Sequence, residues 1–273
     1  MNFLQKFFIL QIGLIPATIV AGPALAEANL FLLSLISLYV IFKKKDYFII
    51  KQNKNIIILF GCFCLFIIST SILSEYVLFS LKSSLAYFRL GIYTLSIFYV
   101  LRIIVSKINI VYNLISITLI VLVVDALIQV HFKQNIFGYV SEYGDLRISG
   151  MFGDEYVLGS FLQKTMPIYL FLTFYVNKKI RFFHLISISL IYLIIFRTGE
   201  RSAFFLTTLF FLTLLFTNYF IRKKIIIIFS IFIVLVPIIL FENFKFTERY
   251  VQIYKQVFDP TNFWEKKNFK RSG

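Results

Sequence analysis

The feature that most limits what this chain can become is the recurrence of long apolar runs. Stretches of roughly 18 or more residues with few charges follow one another along most of the sequence. In hydrocarbon every backbone N–H and C=O must be satisfied inside the chain, so a spanning segment is a helix or a strand of a closed barrel. The runs lack the strict apolar–polar alternation that barrel strands carry. Helices are therefore expected, and the fold class is all-α, a polytopic integral membrane protein. Composition agrees: 59% of residues are hydrophobic and 15% charged, against about 25% charged in a soluble domain.

Nine segments are expected, at about 3–20, 25–42, 55–73, 87–105, 108–130, 156–176, 182–197, 202–220 and 225–241. A polar connector is expected at 74–86 and a loop at 131–155. The first segment ends in a Gly22-Pro23 turn. It also mimics a secretory signal, with Lys6, an apolar core and Ala24-Leu25-Ala26 as a cleavage site. It is either a retained helix or a removed one. Cys62 and Cys64 sit inside an apolar run, at a spacing that suits neither a redox pair nor zinc, and read as two small core residues.

The net charge of +15 is not a nucleic-acid footprint, because the basic residues sit in short clusters between apolar runs. Counted over alternate connectors, 14 lysines and arginines fall on one side and 7 on the other before the tail. By the positive-inside rule the N-terminus is cytoplasmic. The loop 131–155, the turn at 198–201 and the C-terminal tail are then outside. Residues 1–241 are expected to form the transmembrane domain and 242–273 a polar outer tail. In that tail Phe246, Tyr250, Ile253, Tyr254 and Val257 recur at helical spacing, as in an amphipathic helix lying on the outer leaflet.

Arg147, Arg197, Arg201 and Arg249 stand on the side where positive charge is disfavoured. A guanidinium forks two N–H bonds onto phosphate or carboxylate and stays charged. Arg197 and Arg201 are expected at helix ends, at the membrane interface. They either meet an anionic head group or pair with Glu200, Asp145 or Glu142. Asp125 lies inside the fifth segment. It is either a functional intramembrane acid or a partner for a neighbouring group. Asp154 and Glu155 either cap the sixth helix or belong to a site. Glu27 reads as a cap of the second helix. His131 and His184 read as interfacial residues, and no metal cluster is evident.

Two motifs carry more information. Arg147-Ile-Ser-Gly-Met-Phe-Gly-Asp-Glu-Tyr-Val-Leu-Gly-Ser-Phe-Leu162 lies in the outer loop, and Thr198-Gly-Glu-Arg-Ser-Ala203 opens the eighth segment. With the Pro16…Gly22-Pro23 hairpin, this layout resembles the O-antigen ligase and O-antigen polymerase family of bacterial envelopes. The layout covers most of the chain, and the specific likeness rests on those two motifs.

The resemblance implies a metal-independent glycosyltransferase of lipopolysaccharide biosynthesis in the bacterial inner membrane, with no cofactor. It implies transfer of a glycan from undecaprenyl pyrophosphate, at the periplasmic face, to lipid A–core or to another lipid-linked unit. Arg147 and Arg201 would stabilise the pyrophosphate. Arg249, Asp154, Glu155 and Arg197 would contribute to substrate binding. The chain departs from the family in two ways. Many members carry Asn-Pro-Asn where Gly153-Asp154-Glu155 stands here. The family histidine, expected as base late in the outer loop, has no counterpart, so the sequence reads as C-terminally truncated. The rival readings are a transporter or flippase of a lipid-linked glycan and a non-catalytic membrane scaffold. A transporter would need polar residues in mid-helix and an internal repeat, and neither is evident.

Overall fold

The computed structural model describes residues 3–140, 147–177, 182–217 and 219–242. Of these, 85% are helical, and no strand occurs among the described residues. The helices are α1 Phe3–Gly13, α2 Ile15–Ala21, α3 Pro23–Lys44, α4 Phe48–Gln52, α5 Lys54–Ile72, α6 Val77–Ala86, α7 Phe88–Ile104, α8 Ile108–Phe132, α9 Leu158–Val176, α10 Phe182–Arg197, α11 Arg201–Leu215 and α12 Tyr219–Glu242. The expected apolar segments fall on helices, but the eighth ends at Leu215 rather than at 220 and the ninth begins at Tyr219 rather than at 225. Among the described residues three helical stretches are long and apolar enough to cross a membrane, Pro23–Lys44, Lys54–Ile72 and Val77–Phe132. A fourth joins them if the bent pair α1–α2 counts as one.

The first segment is broken, with α1 and α2 meeting at 51°. Pro16 falls at the start of α2, where a missing N–H leaves nothing unsatisfied. Gly22 has φ 135°, a conformation open to glycine, and Pro23 then opens α3.

The stretch 74–86 is a correction to the sequence reading: it contains helix α6 rather than a plain connector. The reason is that its hydroxyls find partners. Ser84 donates to the Ser80 carbonyl at 2.9 Å and Ser83 to the Phe79 carbonyl at 3.3 Å. Across to the α5 side, Ser71 bonds Ser84, and Ser74 donates to Ser80 at 2.8 Å. Polarity that looks like loop in a linear reading is here a hydroxyl seam between two helices.

The chain divides into two compact units, Met1–Ile115 and Ser116–Gly273, with the boundary inside α8. In the first unit two ion pairs fix α3 and α7 as parallel neighbours. Glu27 near the start of α3 meets Arg89 near the start of α7 at 3.3 Å, and Tyr93 donates to Glu27 at 3.2 Å. Toward the other ends, Arg102 meets Asp46 at 3.5 Å. Glu27 thus ties two helices together rather than capping α3, whose N-terminus has no side-chain cap.

The second unit is centred on α9–α12. Tyr192 of α10 stacks on Phe204 of α11 at 5.4 Å and meets Phe232 of α12 at 4.3 Å. Its hydroxyl bonds Thr208 at 2.7 Å. Ser189 donates to the Leu185 carbonyl of its own helix at 2.8 Å and to the Ile228 carbonyl of α12 at 3.3 Å.

Helix α5 has a largely bare apolar surface, with only 11% of its most apolar window buried. Cys64 is buried but Cys62 is exposed, so only one of the pair is a core residue. Residues two apart on a helix point to different faces. An apolar helix exposed in this way is suited to lipid. Phe63, at the centre of α5 and 50% exposed, tests this. Phe63→Asp should raise the cost of inserting α5 by about 3 kcal/mol, read in a glycosylation-reporter insertion assay. An unchanged insertion efficiency would contradict the lipid-facing assignment.

Candidate functional site

The loop after α8 is built from polar side chains at the end of that apolar helix. Gln129 is almost fully buried, and its Oε1 accepts from the Ser149 N–H at 3.0 Å and the Gly150 N–H at 2.7 Å. Asn135 donates from Nδ2 to the Gly150 carbonyl at 2.9 Å. Its Oδ1 accepts from the backbone of Phe137 at 3.0 Å and Tyr139 at 2.8 Å, which closes a tight turn.

Asp125 is fully buried, and its Oδ1 accepts from the Ile136 N–H at 2.9 Å. The intramembrane acid therefore serves the loop. Gly150, at φ +56°, fits because a Cβ there would lie 3.1 Å from Asp125 Oδ2.

A second set of contacts joins the two sequence motifs. Glu200 precedes α11 and directs its carboxylate at the start of α9. Oε1 accepts from the Gly159 N–H at 2.8 Å, and Oε2 accepts from the Ser160 N–H at 3.0 Å. The Ser160 hydroxyl also donates to Oε2. The first N–H groups of a helix have no partner within it and carry partial positive charge, so a carboxylate satisfies both needs.

The turn that delivers Glu200 is held from within. Thr198 donates to the Ile195 carbonyl at 2.8 Å, and Gly199 has φ +71°. The approach is so close that a Cβ on Gly159 would stand 2.4 Å from Thr198 Oγ1 and 2.9 Å from Glu200 Oε1.

This overturns the expected cap. Asp154 and Glu155 are nearest in sequence to α9, yet Glu200 takes the N-terminus. Both acids are exposed, and Asp154 accepts from the Tyr139 hydroxyl. They precede the helix start at Leu158 by a bend held by the Glu155 N–H to the Phe152 carbonyl at 3.1 Å.

Of the arginines, Arg201 is exposed at the first position of α11, next to the anchored Glu200. Arg147 is half-buried, with its guanidinium 5.7 Å from the centre of the Tyr156 ring. Tyr156 lies four residues before Ser160, within the motif that Glu200 ties to the Arg201 turn.

Arg197 differs from the expectation. It is 1% exposed and is the last residue of α10. It belongs to the packing beneath the turn rather than to an open interface. Arg249, like the tail helix 246–257, lies outside the described residues, as do Glu142 and Asp145. His131 and His184 each sit beside a neighbouring phenylalanine ring, at 4.8 and 6.3 Å. No cluster of three metal-ligating side chains occurs among the described residues.

Arg201 is thus an exposed cation next to the carboxylate that takes the α9 donors, and Arg147 is a half-buried one beside Tyr156. In the same unit an apolar groove runs along α8 and α10, lined by Leu119, Val123, Leu127, Tyr169, Ile186 and Leu190. No family model, curated protein or solved structure matches this chain.

Gln129 and Asn135 did not stand out in the sequence, and Glu200 reads there only as a possible partner of an arginine. The available signals were an amide in the last turns of an apolar helix and an acid directly before an arginine.

The Glu200 joint makes a stability prediction. Glu200→Ala leaves two helix-end donors and a hydroxyl without their acceptor and should cost about 1–3 kcal/mol. Gly159→Ala forces the turn away from α9 and should cost a similar ~1–3 kcal/mol. Thermal unfolding of the detergent-solubilised chain measures both. A melting temperature unchanged in either variant would contradict the joint.

Proposed function

We propose that this chain transfers a glycan from undecaprenyl pyrophosphate to lipid A–core or to another lipid-linked repeat unit, as an O-antigen ligase or polymerase does. The observation that carries this reading is the Glu200 joint. It ties Gly159 and Ser160 of the first motif to the turn that presents Arg201 in the second. Two stretches 40 residues apart that suggested one family thus meet.

In this reading the protein has nine crossings, its N-terminus in the cytoplasm and its active face in the periplasm. The alternation of basic connectors supports that orientation, and the parallel course of α3 and α7 fits a single crossing between them.

The chemistry follows from charge. An acceptor hydroxyl attacks the anomeric carbon and forms the new C–O bond. The bond from that carbon to the pyrophosphate oxygen breaks, and its electron pair leaves on the pyrophosphate. The acceptor proton passes to a base. Negative charge grows on the leaving group in the transition state, so fixed guanidinium groups stabilise it more than the ground state. Arg147 and Arg201 are the candidates for that role. Their guanidinium groups supply the positive charge, and the apolar groove along α8 and α10 suits a prenyl chain.

Removing one such donor costs about 10²–10³-fold in rate. The pair Arg147→Ala and Arg201→Ala should therefore abolish measurable glycan transfer while membrane insertion stays intact. Full transfer by the double variant would refute the assignment.

A further inference from the structure

We propose that Gln129 is a positioning residue, the latch that holds the backbone beside Arg147 so that its guanidinium meets the anionic group in a fixed place. This rests on the reading of Arg147 given above.

A glutamine near the end of the 25-residue apolar helix α8 is unexpected, because an amide desolvated without partners is costly. Its carbonyl oxygen is fully used. It accepts two consecutive backbone N–H groups, Ser149 at 3.0 Å and Gly150 at 2.7 Å. Two donors on one oxygen also fix which end of the amide is which.

The same stretch is gripped from other sides. Asn135 holds the Gly150 carbonyl at 2.9 Å. Asp125 Oδ2 lies against Gly150, and Ile148 and Ser149 are buried. The three residues after Arg147 are thus held by two amides and by the burial of Ile148 and Ser149, while Arg147 itself remains half-buried beside Tyr156.

A rigid root is what a charge-stabilising arginine needs, since little reorganisation is then left for the reaction. A loop held only by its ends would let the guanidinium wander. Helix α8 instead supplies a side chain whose carbonyl oxygen is spent on the residues beside Arg147.

The test uses the full chain in lipid nanodiscs with Gln129→Leu, which keeps the approximate volume and removes the acceptor, and Gln129→Glu, which keeps an acceptor oxygen. Hydrogen exchange at Ser149 and Gly150 should quicken by roughly tenfold or more in Gln129→Leu and stay slow in Gln129→Glu. Glycan transfer by Gln129→Leu should lose up to ~10²-fold in kcat with little change in donor KM.

Unchanged exchange in Gln129→Leu would overturn the latch. Faster exchange with an unaltered kcat would overturn the positioning role. A wild-type chain that transfers no glycan would sink the proposed function, while the exchange result would still decide the latch. Should Gln129→Leu fail to insert, Asn135→Ser, which loosens the same stretch from outside the helix, must quicken exchange at 149–150, and slow exchange there would count against the proposal.

Discussion

The second unit depends on one carboxylate. Glu200 reaches from the turn after α10 to the first N–H groups of α9 and ties the end of the first motif to the second. A charged acceptor at a helix N-terminus gains from the helix dipole and from donors that have no other partner. In surroundings poorer in water than a free surface, such a contact is screened less. It also sets geometry. Arg201 is the next residue, Gly159 has to lack a side chain, and Thr198 has to fold back on its own helix.

A second polar device works at the end of α8. Asp125, Gln129 and Asn135 use their hydrogen bonds on backbone groups of the following loop. An apolar helix has no other means of fixing an irregular segment at its end, because such a loop has no ladder of its own and its buried N–H groups still require acceptors. The two devices divide the work, one holding the Arg147 segment and the other the Arg201 segment. The first unit shows the same economy in the α3–α7 ion pairs.

How much of this was legible beforehand depended on range. The apolar segments were legible because a bilayer demands length and hydropathy together, and α10 begins and ends where its hydropathy does. Helix α6 was not, because serines bonding back within a helix look like loop in a linear reading. The cap of α9 was not legible for the same reason: sequence offers the nearest acids, Asp154 and Glu155, as candidates, and the working one stands 40 residues away. Arg197 looked interfacial from its place at a helix end, but burial is decided by what packs over it. The two motifs were visible as unusual stretches. Their meeting was not, since it rests on a long-range contact.

The two arginine segments are proposed to form one site for a pyrophosphate. Direct binding of farnesyl pyrophosphate and of farnesol to the full chain in nanodiscs tests this without requiring the rest of the reaction. Such a site should bind the pyrophosphate saturably, more weakly as salt is raised, with farnesol bound far more weakly still. Equal affinity for the two lipids would show that the apolar groove alone binds them and would contradict the arginine site.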